Sequence, residues 1–123
     1  MNDAVVEVVD RQLKAYNQKD AAAWAQTYAA NAVQQTTDGM ILASGREAIQ
    51  ATIAERFLEP DLKAELLSRT VYDNVVIDHE KITRNFAEGL GCVEMLCIYT
   101  VEEGLITRGI FKVFNKQLAN STK

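Results

Sequence analysis

Val75-Val76-Ile77-Asp78-His79-Glu80 reads with a period of two, and it marks where the chain has ceased to be helical. Such alternation is the pattern of a half-buried strand. Val75, Ile77 and His79 share one face; Val76, Asp78 and Glu80 share the other. The first face is expected to point inward, carrying the single histidine with it. The same period starts near Lys63, with Leu67 and Val71 leading to a turn at Asp73-Asn74. Downstream, the bend Glu88-Gly89-Leu90-Gly91 precedes a strand from Cys92 to Val101. Glu102-Glu103-Gly104 turns this into a last strand, Leu105 to Phe114. The polar tail, Asn115 to Lys123, is expected to fray.

Upstream the spacing is helical. Val5, Val9, Leu13 and Tyr16 form one stripe, with Asp3 placed to cap it. Asn17-Gln18-Lys19-Asp20 breaks that helix, and Asp20 can cap a second, from about Ala21 to Ala30, which would set Trp24 and Tyr28 four residues apart on one face. A strand from Val33 to Thr37 meets the turn pair Asp38-Gly39 and returns through Met40-Ile41-Leu42 as a hairpin. Ser44-Gly45-Arg46-Glu47 has capping-box spacing. Ile49, Ile53 and Phe57 define a third helix, stopped by Glu59-Pro60. Three helices followed by an antiparallel meander give an α+β fold, with helices on one face of a curved sheet.

The 123 residues amount to one domain, 1–123, with no linker and no repeat. A content of 48% hydrophobic and 24% charged residues is that of a globular chain, which excludes a disordered tail. The net charge of −4, with the 13 Lys and Arg scattered singly, disfavours nucleic acid as a partner. No apolar run reaches the ~20 residues that span a bilayer, so no membrane partner is expected. Met1-Asn2-Asp3-Ala4 carries no positive charge ahead of the valines, unlike a signal peptide. Cys92 and Cys97, about 16 Å apart along one strand, are beyond disulfide reach. Two free thiols point to the cytoplasm.

Tyr16-Asn17-x-x-Asp20, the aromatic-bearing second helix and Ser44-Gly45-Arg46-Glu47-Ala48-Ile49 occur in an order that resembles the nuclear-transport-factor-2-like superfamily, and within it the SnoaL-like proteins. The run Ile98-Tyr99-Thr100-Val101-Glu102-Glu103-Gly104-Leu105-Ile106-Thr107-Arg108 is similar to that group's final hairpin. The resemblance covers about Val5 to Phe114. It implies a cone-shaped α+β barrel: helices packed on a strongly curved, mostly antiparallel sheet, whose open end is a pocket for small apolar or amphipathic molecules. It implies a pocket, not a reaction, since relatives include isomerases, epoxide hydrolases, a dehydratase, cyclases and non-catalytic members.

Ketosteroid isomerases of this fold use an Asp base with a Tyr and a protonated Asp as hydrogen-bond donors. The resemblance places Gln12 where that tyrosine would be, Thr36 (or Gln35) at the base and Cys97 near the second acid. Thr and Gln have no usable basic form at neutral pH, so this mechanism is excluded. His79 is the candidate proton carrier if it faces the cone. A pocket-lining but non-catalytic His79, and a His79 on the outer face, remain as alternatives. Asp78 and Glu80 alternate away from it and cannot orient its ring.

The expected pocket comprises Gln12, Tyr16, Trp24, Tyr28, Gln34, Thr36, Met40, Phe57, Ile77, Cys97, Tyr99 and Phe111. One histidine and two distant thiols offer no metal-ligand spacing, no glycine-rich loop opens a helix, and no cofactor is expected. Val76, Ile82, Leu96, Ile98, Ile106 and Ile110 are expected on the convex face, as an apolar patch that pairs two copies. The function expected is binding of a small apolar, amphipathic or cyclic molecule, with acid–base catalysis left open. The alternative is a non-catalytic dimerisation module with a filled cavity.

Overall fold

The computed structural model describes residues 3–119. Its helices are α1 (Asp3–Gln18), α2 (Ala21–Gln26) and α3 (Arg46–Arg56). Its strands are β1 (Tyr28–Thr36), β2 (Ile41–Ser44), β3 (Lys63–Tyr72), β4 (Val75–Phe86), β5 (Gly89–Glu102) and β6 (Leu105–Leu118). They form one sheet in the order β2-β1-β6-β5-β4-β3, antiparallel except where β1 runs beside β6. α1 lies across the concave side, touching β3, β4, β5 and β6. This is the α+β cone that the family resemblance implies.

α1 buries Val8, Val9, Gln12 and Ala15, while Val5, Leu13 and Tyr16 pack at the margin of the same core. The Asp3 side chain proposed as its cap lies outside the described residues. Lys19, at φ 57°, ends the helix, and Asp20 caps α2 by accepting from the Ala23 N–H at 3.0 Å. The C-terminal end of α1 is tied to the start of β3, because the Asn17 amide both donates to and accepts from the Ala64 backbone.

Four local expectations are corrected. α2 stops at Gln26 instead of Ala30. Thr27 turns its hydroxyl back to the Trp24 carbonyl, and the Ile106 N–H donates to the Thr27 carbonyl, so β6 draws Tyr28 into the sheet. Ser44 is not the cap of α3: it ends β2 opposite Val33, and Gly45 holds the boundary at φ 91°, a conformation that favours glycine. Residues 115–118 are not frayed, because β6 continues to Leu118 and pairs with Gly91 and Cys92. A Cβ at Gly91 would stand 2.3 Å from the Gln117 carbonyl oxygen, so that pairing needs a glycine. The expected tail beyond Ala119 lies outside the described residues.

The fourth correction reverses a whole strand. Val76, Asp78, Glu80 and Ile82 are buried, and Val75, Ile77 and His79 face outward. The cause is register. Asp78 stands opposite Cys97 and Val76 opposite Tyr99, and directly opposed residues share a face. A bulge between Thr100 and Val101 then separates two residues expected together: Ile106 is in the core, while Ile110 stays outside opposite Ile98. The outer face therefore loses Val76, Ile82 and Ile106. It keeps Leu96, Ile98 and Ile110 and gains Ile77, opposite Ile98.

Candidate functional site

A cavity of about 540 Å³ opens between α1, α3 and the concave sheet. Its walls are the rings of Tyr16, Trp24, Tyr99 and Phe111 with Leu13, Ile53, Ile82 and Met95. Gln12, Gln34, Glu80 and Cys97 bring polar groups to it. Thr36, Met40, Leu42, Lys112 and Val113 reach the rim, where Met40 and Val113 are exposed. An open depression beside Ala51, Thr52, Glu55, Arg56 and Glu59 also occurs on α3, without a buried polar group.

Nine expected pocket residues border the cavity: Gln12, Tyr16, Trp24, Gln34, Thr36, Met40, Cys97, Tyr99 and Phe111. Tyr28 and Phe57 do not; they brace its wall. Phe57 packs edge-on against Tyr16 at 5.4 Å and Trp24 at 6.4 Å, and Tyr28 lies 4.8 Å from Trp24. Ile77 and His79 lie on the opposite face of the sheet. There the His79 Nε2 meets Glu94 Oε1 at 2.6 Å and its ring stacks on Phe114. His79 is therefore not a proton carrier for the cone.

Hydrogen bonds hold the polar wall. The Gln12 amide nitrogen donates to the hydroxyls of Tyr28 and Tyr99, each at 3.2 Å, joining α1 to β1 and β5. Burial pushes the phenols of Tyr16, Tyr28 and Tyr99 up, so they remain neutral donors. Burial likewise raises the Cys97 thiol, which makes it inert as a nucleophile. The Trp24 indole N–H is buried and finds no acceptor among the described residues.

Glu80 is the residue that the sequence reading passed over. It is 4% exposed, and burial, with the nearby Asp78 charge, pushes its carboxyl up to about 7. Arg69 pulls the other way but is held elsewhere. Its Nε and Nη2 donate to the two oxygens of Asp78 at 2.7 and 3.0 Å, and its Nη1 donates to Asp10 at 2.6 Å. The Cys97 thiol borders the same part of the cavity. A carboxyl that titrates near neutrality inside an apolar cavity can exchange protons with a bound molecule or act as its counter-ion.

The SnoaL-like domain family matches residues 9–109. The chain belongs to this family. Solved structures share the SnoaL-like fold at low identity. An uncharacterised protein from Novosphingobium aromaticivorans, described as a cystatin fold, superposes with a TM-score of 0.82 at 19% identity, over 88% of this chain and 97% of its own. A protein of ketosteroid isomerase-like fold from Catenulispora acidiphila, solved in complex with trimethylamine, gives 0.77 at 15%, over 88% and 85%. A candidate polyketide cyclase from Sinorhizobium meliloti gives 0.72 at 23%, over 86% and 94%. No curated protein matches in sequence. Among the described residues no cluster of three or more His, Cys, Asp or Glu could hold a metal, and no helix is long and apolar enough to cross a membrane.

Proposed function

We propose that this SnoaL-like domain binds a small amphipathic molecule in its cone, the apolar body against the aromatic walls and the polar end at Glu80. The observation that carries this reading is the buried Glu80 carboxyl, set in a cavity of a size that takes small ligands. Because that carboxyl titrates near pH 7, the same site can serve acid–base catalysis on an apolar or cyclic substrate. The cyclase-like and trimethylamine-bound relatives support a small molecule as the occupant. An open cone argues against the alternative of a filled, purely structural module. The two free thiols fit a reducing cytoplasm as the working compartment.

Native mass spectrometry of the purified protein tests this reading. A bound small molecule is expected on the native protein and absent from Met95→Trp, which fills the cavity. Equal retention by both proteins would place the ligand elsewhere.

The outer face supports pairing of two copies. Ile77, Ile98 and Ile110 form a row across β4, β5 and β6, with Leu96 beside it. An apolar, self-complementary sheet face is suited to a two-fold dimer. Ile98→Glu should give monomers in sedimentation, and an unaltered dimer would move the interface off this face.

A further inference from the structure

We infer that the polar end of the ligand is a cation, an ammonium or quaternary amine seated between the Glu80 carboxyl and the surrounding aromatic rings. This rests on the reading of the cone as a binding site and assigns the chemistry of what fills it.

The uncompensated carboxyl in the cavity wall carries the inference. Glu80 is the acid in the cavity wall, while the nearby cation Arg69, behind that wall, spends its side-chain hydrogen bonds on the buried Asp78 and on Asp10 at the surface. The other arginines on this side are also engaged: Arg84 clasps Glu59 through two bonds of 2.8 Å, and Arg56 lies 3.4 Å from the same carboxylate. Among the described residues Glu80 makes no ion pair. An anionic ligand would enter beside the uncompensated Glu80 carboxylate and be repelled. A cationic ligand supplies the missing counter-charge, and desolvation inside the cone strengthens that attraction.

The aromatic walls favour the same ligand class. Tyr16, Trp24, Tyr99 and Phe111 all border the cavity, and ring faces attract cations most strongly where water is excluded. The charged and titratable groups that bear on Glu80 are Asp78 on its own strand, Arg69 on β3, Cys97 and Tyr99 on β5, Tyr28 on β1 and Tyr16 on α1. Arg56, Asp38 and Lys112 stand at the mouth, where solvent screens them. His79 and Glu94 lie across the sheet, outside the cone.

Trp24 is the only tryptophan, so its fluorescence reports the cavity directly. Benzyltrimethylammonium, a permanent cation, is compared with its neutral carbon isostere neopentylbenzene and with phenylacetate. The cation should bind about tenfold tighter than the isostere or better. Its affinity should rise about tenfold from pH 5.5 to 8.5 as Glu80 ionises, in the wild type and equally in His79→Gln. Glu80→Gln should remove the pH dependence and cut the preference to what the rings alone supply. The wild-type pH series decides the matter even if that variant folds poorly. Equal binding of cation and isostere, tighter binding of phenylacetate, or a pH-independent affinity overturns the cation while leaving the cone a binding site. No binding by any of the three probes overturns both.

Discussion

β4 carries two titratable residues side by side on opposite faces, and their surroundings differ as much as two sites on one strand can. Inside, Glu80 lies in the cavity wall and, among the described residues, makes no ion pair. Outside, His79 is half-exposed, hydrogen-bonded to Glu94 and stacked on Phe114. By residue type the histidine is the natural proton carrier near pH 7. By environment that part passes to the glutamate, because burial and the Asp78 charge move its titration into the same range. The comparison teaches that surroundings, more than the reference chemistry of the side chain, decide which group is poised to act.

The largest effect should come from stripping the inner face of its cation. Asp78 is fully buried and receives two bonds from Arg69. Arg69→Met would leave that charge uncompensated, at a cost of about 3–5 kcal/mol in urea unfolding. Adding Asp78→Asn should restore part of the loss. A cost below about 1 kcal/mol would mean that the buried pair is not what holds the floor of the cone.

Glu80→Gln should act in the opposite direction. Folded Glu80 keeps its proton to about pH 7, whereas an unfolded chain releases it near 4.5. Between those values the folded state binds more protons, so stability falls as pH rises through the window. The loss approaches about 3 kcal/mol above pH 7, taking roughly 1.4 kcal/mol per pH unit of displacement. The glutamine variant should therefore be more stable than the wild type at pH 8, equal to it near pH 4, and flat in between. A destabilised variant at pH 8 would show that Glu80 makes a structural contribution that outweighs its desolvation. A residue that lowers stability where it sits is the usual mark of a functional position.

The sequence made the helices, the Asp20 cap, the hairpins and most of the cavity wall legible, because period and turn chemistry are local signals. It misplaced Glu80 because the two faces of β4 are nearly equal in apolar content: Val75 and Ile77 on one, Val76 and Ile82 on the other. The deciding signal lay in the next turn. Phe86 pairs with Gly89 across Ala87-Glu88, and a two-residue turn fixes the register of everything beyond it. Counted from there, Asp78 must oppose Cys97 and so share the inner face with it. The bulge at Thr100/Val101 left no comparable mark, so Ile106 and Ile110 read as neighbours on one face. The end of α2 was equally hidden, since Tyr28 leaves the helix for a pairing with Ile106, a residue far along the chain.

The smallest effect, and the sharpest test of the contrast, belongs to the neighbour of Glu80. His79→Gln keeps a polar side chain of similar reach on the outer face, where Glu94 and Phe114 are its partners. That contact is only part-buried at the sheet surface, where such a pair contributes little. The variant should therefore unfold at the wild-type urea midpoint and retain the wild-type pH profile between 4.5 and 7, because Glu80 sets that profile from the other side of the sheet. Its cavity should also bind as the wild type does. The two substitutions, one residue apart, should thus give one unchanged stability curve and one flattened curve. If His79→Gln flattened the profile instead, the proton held near neutrality would belong to the histidine and not to the inner carboxyl.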